Sequence, residues 1–282
     1  MEQRSIVDPL GALRRAALCL ALVFIALATL SVARAAKMVS HRAFYTLSSG
    51  GFKSGGRFTG VDGTMELALE KDCTGWTMSQ SLRMNLQMAN GSELRQVHRY
   101  TGRESDDGIR YDFYSSSQIG NSREDFRGRA IMESSGGPGN AVFRIPQGKK
   151  IPLPLGTKFL FAHTIYLIEQ AEAGARLATA IVFDGTDDEG PQEVTAFIAR
   201  KRHAREFIGK DRVKALGPLV DRSGWKIRMA FYKLDSRGAV PEYEVEALQL
   251  DNGVTPWLLL DYQDFSVVLE LDKLEEISSP QC

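Results

Sequence analysis

The side chains that most often carry catalysis or bind metals are widely separated in this sequence. Its four histidines follow no metal-ligand spacing; they are His41, His98, His163 and His203. The sequence also lacks a G-x-S-x-G nucleophile elbow, a phosphate-binding Gly-Lys-Ser/Thr loop, an H-E-x-x-H pair and a dinucleotide-binding fingerprint. We therefore expect no catalytic residue, no metal, no cofactor and no enzymatic activity. A carboxylate or histidine with a shifted pKa in a concave pocket would favour an enzyme instead.

The first 35 residues have the pattern of a secretory signal peptide. Arg14 and Arg15 precede an apolar run from Ala16 to Leu30, and the small-residue triplet Ala33-Arg34-Ala35 follows it. The run is shorter than the roughly 20 apolar residues that a membrane-spanning helix needs. The sequence therefore predicts cleavage after about Ala35 and a mature domain outside the cytoplasm. The alternative is a retained N-terminal anchor.

Residues 36–282 have the composition of one nearly neutral domain. Loss of the first 35 residues leaves 31 basic and 33 acidic residues, and no Pro/Gly/Ser-rich linker divides the remainder. Such a balance provides no overall field that would attract nucleic acid or an anionic membrane. We expect a single β-rich domain, a monomer, that does not bind nucleic acid.

Cys73 and Cys282 are the two cysteines that remain after cleavage, because Cys19 lies within the apolar run. An even pair in an oxidising compartment implies a disulfide, and a bond at the last residue would hold a terminus that otherwise frays. Closing so long a loop would stabilise the fold by about 5 kcal/mol at most. The alternatives are a metal pair or a redox-active thiol, but the sequence has neither the C-x-x-C spacing nor the nearby histidines of such sites.

One cluster of basic residues could recognise a partner. The basic cluster follows the strand-like segment 194–199 and consists of Arg200, Lys201, Arg202 and Arg205. It predicts a site for an acidic partner or for lipid head groups. The alternative is a solvated strand end, which is the usual role of such charge runs.

Alternating apolar and polar residues indicate β-strands through most of the mature chain. From Trp76 to Met88 the even positions are mostly apolar and the odd positions 77–87 are polar or charged. Asn90-Gly91 then predicts a type I′ hairpin turn, in which both residues have positive φ. The same alternation recurs at 225–231, 243–247 and 265–271. These segments predict strands with one buried face and one exposed face.

One segment has a helical period. From Thr157 to Ala173 the apolar residues recur at steps of three and four, and Gly174 follows as a C-terminal cap. The apolar face of the predicted sheet must be covered, so the sheet has to curl around this helix. The fold class is therefore mainly β, a single domain of many antiparallel strands in a curled sheet packed around one α-helix.

Six segments resemble, in their order and spacing, the EipB family of bacterial cell-envelope integrity proteins. They are His41-Arg42-Ala43-Phe44-Tyr45, Cys73-Thr74-Gly75-Trp76, Leu153-Pro154-Leu155-Gly156-Thr157, Val182-Phe183-Asp184-Gly185, Asp261-Tyr262-Gln263-Asp264-Phe265 and the terminal Cys282. The resemblance covers essentially the whole mature chain. The sequence departs from the family pattern at Thr46, where an acidic residue is usual, and in the glycine-rich stretch 48–60.

The resemblance implies a periplasmic protein of Gram-negative bacteria, folded as a β-spiral, in which Cys73 is bonded to Cys282. It also implies a non-enzymatic role in cell-envelope integrity and periplasmic protein partners, those built of tetratricopeptide-type repeats among them. Our leading hypothesis is a disulfide-locked β-scaffold that binds other envelope proteins. The alternative is a periplasmic carrier of lipid or lipoprotein that uses an apolar cavity.

Overall fold

The structure, a computed structural model, describes residues 38–282 apart from residue 55, residues 209–212, residues 235–239 and residue 263. The predicted signal peptide and its cleavage site lie outside the described residues. The described residues form fifteen strands, one long helix and a few short helical turns. Among these helices, none has the length and apolar character needed to span a bilayer.

The bounds of the strands are β1 (His41–Phe52), β2 (Phe58–Lys71), β3 (Gly75–Met88), β4 (Glu93–Ser105), β5 (Arg110–Ile119), β6 (Ser122–Met132), β7 (Gly139–Ile145), β8 (Lys150–Leu153), β9 (Leu177–Val182), β10 (Gln192–Ile198), β11 (Arg202–His203), β12 (Ser223–Lys233), β13 (Tyr243–Leu250), β14 (Trp257–Asp261) and β15 (Phe265–Glu276). The long helix, α1, is Leu160–Glu172. The short helical turns are Ala204–Glu206, Val213–Leu216 and Gly217–Leu219.

All fifteen strands belong to one antiparallel sheet built of two meanders. β1 to β8 follow one another in space as in sequence, and β9, β10 and β12 to β15 form the second meander. The first and last strands, β1 and β15, pair with each other and join the two meanders. The two-residue strand β11 pairs with β12 alone.

The two ends of the sheet meet beside α1. Lys158, which lies between β8 and α1, donates its N–H to the Ile181 carbonyl at 2.8 Å, and its own carbonyl accepts the Phe183 N–H at 3.0 Å. This bridge to β9 closes the curl of the sheet. The predicted fold class, a curled antiparallel sheet around one helix, is confirmed.

The helix lies on the inner side of the curl and contacts both meanders. Phe161 packs with Leu69 of β2, and Ile168 belongs to the same apolar cluster as Trp225 of β12. The helix ends as its sequence predicts. Gly174 has φ of +83°, and the N–H groups of Gly174 and Ala175 return to the carbonyls of Ala171 and Gln170, which is a Schellman cap.

The turn between β3 and β4 differs from the prediction. Gly91 has φ of +82°, but every described non-glycine residue has negative φ, so Asn90 does not adopt the conformation of a type I′ turn. Instead, the Asn90 side chain accepts the Ser92 N–H at 3.0 Å, and the Met88 N–H donates to the Ser92 carbonyl. The longer loop has its own side-chain hydrogen bond, which makes a second positive φ unnecessary.

Candidate functional site

Glu104 is a buried carboxylate that holds the start of α1. It lies on the inner face of β4 and is 4% exposed. Its Oε2 accepts the Phe161 N–H at 2.7 Å and its Oε1 accepts the Ala162 N–H at 3.1 Å. Phe159, at the N-cap position, makes no side-chain cap, so a residue from a distant strand satisfies the first free N–H groups of the helix.

Burial raises the pKa of Glu104 to about 7, although its two backbone hydrogen bonds act in the opposite direction. A cleft of about 280 Å³ opens beside it, between Trp76, Lys158, Ile165 and Tyr166. A shifted carboxyl pKa in a cleft is the feature that would favour an enzyme. Here both carboxylate oxygens already accept helix N–H groups. Helix capping therefore accounts for the buried position of Glu104, and the burial accounts for its raised pKa.

The four histidines lie on four separate elements. His41 and His163 are buried on β1 and α1, His98 is on β4 and His203 is exposed on β11. Burial lowers the pKa of His163 to about 4 and also lowers the pKa values of His41 and His98, so these three side chains are neutral at pH 7. No group of three or more metal-ligating side chains occurs in the described part of the chain.

Two buried tyrosines hold the segment after β9 inside the sheet. The hydroxyls of Tyr100 and Tyr111 contact each other, and both donate to the Asp184 carbonyl, Tyr111 at 3.2 Å. Gly185 has φ of +70°, and a side chain there would strike the ring of Phe113. Close packing at Gly185 is thus the physical reason for a glycine at this position.

Tyr111→Phe removes one of these hydroxyls and is expected to lower the free energy of unfolding by about 1 kcal/mol, because the buried hydrogen bonds are lost while Tyr100 still donates to Asp184. Urea unfolding measures the effect. The matched control is Tyr114→Phe, whose hydroxyl donates to Asp125 at 3.3 Å on the outer face of β5; a change within about 0.5 kcal/mol is expected there. Equal effects at the two positions would contradict this interpretation.

Cys73 and Cys282 are joined by a disulfide, with their Cα atoms 5.5 Å apart. Cys73 lies in the exposed turn between β2 and β3, and Cys282 ends an irregular tail after β15. Hydrogen bonds hold the same tail upstream of the bond. The Ile277 N–H donates to the Ser40 carbonyl at 3.1 Å, and the hydroxyls of Ser40 and Ser279 are 2.8 Å apart.

The structure divides the basic cluster into paired and unpaired residues. Lys201 pairs with Glu172 of α1 at 2.7 Å and lies over the ring of Trp225. Arg205 pairs with Asp221. Arg200 and Arg202 are exposed, and neither forms an ion pair with a described residue. Two of the four predicted residues are thus available to a partner.

An exposed apolar pair lies immediately before the basic cluster. Phe197 of β10 and Leu177 of β9 face each other on the outer side of the sheet and are 58% and 55% exposed. Phe197 also lines an open groove of about 540 Å³ together with Arg176 and Arg228. The groove and the basic cluster combine an aromatic side chain with arginines, the residue types enriched at protein interfaces. We call this surface the Phe197 surface.

The match to known proteins covers most of the chain. The profile of the family described as EipB-like matches residues 32–278. The chain belongs to the EipB-like family. A curated relative in this family is the cell envelope integrity protein EipB of Brucella abortus (strain 2308), which is 28% identical over 251 residues, 87% of this chain and 86% of that protein.

The EipB-like fold is also found in a solved structure. It is described as a beta-barrel-like protein of a domain of unknown function from Brucella abortus, and its sequence is 23% identical to this chain. The alignment covers 86% of this chain and 99% of that one, with a TM-score of 0.77. At this identity the likeness extends to the fold alone.

Sequence reasoning missed two features of this EipB-like chain. Glu104 had no visible signal, because its helix partners are 57 and 58 residues away along the chain. The Phe197 surface had a weak signal. Phe197 stands between Ala196 and Ile198 in an apolar run, and the strand pairing was needed to show that it faces outward.

Proposed function

We propose that this chain supports cell-envelope integrity as a non-enzymatic periplasmic scaffold that binds another envelope protein through the Phe197 surface. The observation that carries the proposal is the exposure of Phe197 beside Leu177, with the unpaired Arg200 and Arg202 next to it. Aromatic side chains and arginine are enriched at protein interfaces, where a few residues carry most of the binding energy. The name of the EipB relative supports the cellular role.

The interior supports a rigid scaffold better than a lipid carrier. Between β4 and β8 the core is built of aromatic rings in contact. The ring centroids of Phe113 lie 5.1 Å from Phe143 and 5.5 Å from Phe183, and those of Tyr111 and Phe159 are 5.0 Å apart. Rings at these distances fill the space between them. A carrier would need an open apolar cavity in which an acyl chain fits.

A deletion strain tests the proposal. We expect loss of the gene to increase sensitivity to detergent, and we expect the wild-type chain to restore resistance while Phe197→Glu fails to do so. The change removes the apolar contacts of the Phe197 ring and places a carboxylate at the centre of the interface, which weakens binding strongly. Growth on detergent plates measures the effect, with immunoblots to show equal protein levels.

The matched control is Leu155→Glu, which places the same charge in the loop between β8 and α1 at a side chain 72% exposed. This variant is expected to restore resistance. A photo-crosslinking amino acid at position 197, but not at position 155, should trap a defined partner. Full complementation by Phe197→Glu would rule out the Phe197 surface, and an unchanged deletion strain would rule out the role in the envelope.

A further inference from the structure

The outer face of β3–β6 is strongly basic, although the chain as a whole is neutral. Residues 72–148 contain nine arginines and no lysine. By strand register, eight of these arginines point outward from β3 to β6, and three acidic residues share that face. The arginines are Arg83, Arg95, Arg99, Arg103, Arg110, Arg123, Arg127 and Arg129, and the acidic residues are Glu93, Asp112 and Asp125.

Four of these arginines have no acidic partner among the described residues. Arg103, Arg110, Arg123 and Arg129 form ion pairs with Asp72, Asp112 or Asp125. The other four are exposed and form no ion pair with a described residue; they are Arg83, Arg95, Arg99 and Arg127. We call the surface around these four the arginine face.

Three members of the arginine face are close neighbours. Arg83 of β3 faces Val97 of β4, while Arg95 and Arg99 face Asn85 and Ser81. Arg83 is therefore diagonal to both arginines of β4, and the Cα atoms of such diagonal neighbours are about 7–8 Å apart. The guanidinium groups of such close neighbours repel one another, and an anion bound between them offsets the repulsion.

The residues between the arginines indicate what kind of anionic partner fits. The positions that separate them on the outer face are mostly short and polar, such as Ser81, Asn85 and Thr101. A protein interface needs an exposed apolar or aromatic centre, which the Phe197 surface has, whereas Val97 and Tyr114 on this face are only partly exposed. A membrane surface needs only a broad basic face, and arginine binds phosphate with two parallel hydrogen bonds.

We propose that the arginine face binds the phosphate groups of an anionic lipid surface. The face lies about half-way round the sheet from β10 and Phe197, so a membrane on one side and a protein partner on the other would not compete for space. The proposal is independent of the Phe197 surface. The contact is peripheral, because Val97, the apolar residue among Arg83, Arg95 and Arg99, is only partly exposed.

Vesicle co-sedimentation tests the proposal with protein recovered from the envelope of cells that express the full chain. We expect the wild type to sediment with vesicles of phosphatidylethanolamine and phosphatidylglycerol and to stay in the supernatant with phosphatidylcholine vesicles. Binding to the anionic vesicles should fall as the salt concentration rises. Each surface arginine contributes about fivefold to binding, so the triple change Arg83→Ala, Arg95→Ala and Arg99→Ala should weaken binding about 100-fold.

The matched control removes three ion-paired basic residues outside the arginine face and the Phe197 surface, Arg57→Ala, Lys149→Ala and Arg222→Ala. It has the same net charge as the triple variant and is expected to bind vesicles within a few-fold of the wild type. Melting curves show that each variant is folded. Equal binding to both vesicle types, absence of binding to the anionic vesicles, or equal losses in the two triple variants would each overturn the proposal.

Discussion

Replacing Cys73 and Cys282 together with serine is expected to lower the melting temperature by about 5–10 °C while leaving the fold intact. The disulfide closes a loop across most of the β-rich domain, with a sequence separation of 209 residues. Opening such a loop restores chain entropy to the unfolded state, which costs the fold about 2.5 kcal/mol when half of the full entropic effect is realised. For a domain of this size each kcal/mol corresponds to about 2–4 °C. Differential scanning calorimetry measures the shift.

Reduction of the wild type is expected to give the same shift as the double variant, because both cysteines are exposed and within reach of dithiothreitol. Each single serine variant should match the double variant, since either change opens the same loop. The matched control is Ser279→Ala, which removes only the tail contact to Ser40 and should cost about 1 kcal/mol or less. An unchanged melting curve, after mass spectrometry has confirmed the bond in the wild type, would contradict the scaffold interpretation.

Glu104→Ala is expected to destabilise the fold by about 2–4 kcal/mol. It leaves the N–H groups of Phe161 and Ala162 without their acceptor at a buried helix start, and each unsatisfied group costs about 1–3 kcal/mol. Glu104→Gln keeps a carbonyl oxygen that can accept from the same groups, so its cost at pH 7 should be smaller. Urea unfolding of the three proteins measures the difference. Equal losses in the two variants would show that helix capping is not the role of Glu104.

The pH dependence of stability provides a second measurement on Glu104. Its pKa is about 7 in the folded state and about 4.5 in the unfolded chain, so the folded state binds the proton more tightly. The corresponding stability is complete below pH 4.5 and is lost as the pH rises through 7, by an amount on the order of 3 kcal/mol. Buried histidines such as His163 have lowered pKa values and act in the opposite direction at acidic pH.

Comparison with Glu104→Gln isolates this contribution, since the histidines are the same in both proteins. Between pH 8 and pH 5 the wild type is expected to gain stability relative to the glutamine variant by about 2–3 kcal/mol. Parallel stability curves for the two proteins would contradict the raised pKa of Glu104.

The elements with a clear local period were predictable from the sequence. The helical period over 157–173 and Gly174 predicted α1 closely, because amphipathic spacing and a glycine cap are properties of neighbouring residues. The alternation over 76–88 predicted β3 for the same reason. The predicted type I′ turn at Asn90-Gly91 was wrong, because the hydrogen bond from the Ser92 N–H to the Asn90 side chain stabilises a longer loop.

Features that depend on distant pairing were not predictable from local patterns. The Glu104 cap needs β4 and α1 to meet, and the outward position of Phe197 needs the register of β10 against β12. The arginine face was partly predictable from the sequence. Arg83, Arg95 and Arg99 occupy the polar positions of two predicted strands, but the register that places Arg83 diagonally between the other two comes from the fold.

The pairing of β1 with β15 has a consequence for folding during synthesis. A ribosome releases His41 long before Glu276, its partner in the sheet, so one edge of β1 stays without its neighbour until the final strand has been made. An open strand edge is a template for wrong association, and contacts so distant in sequence form slowly. A prematurely terminated chain would keep that edge open permanently, which marks it for recognition by chaperones or proteases.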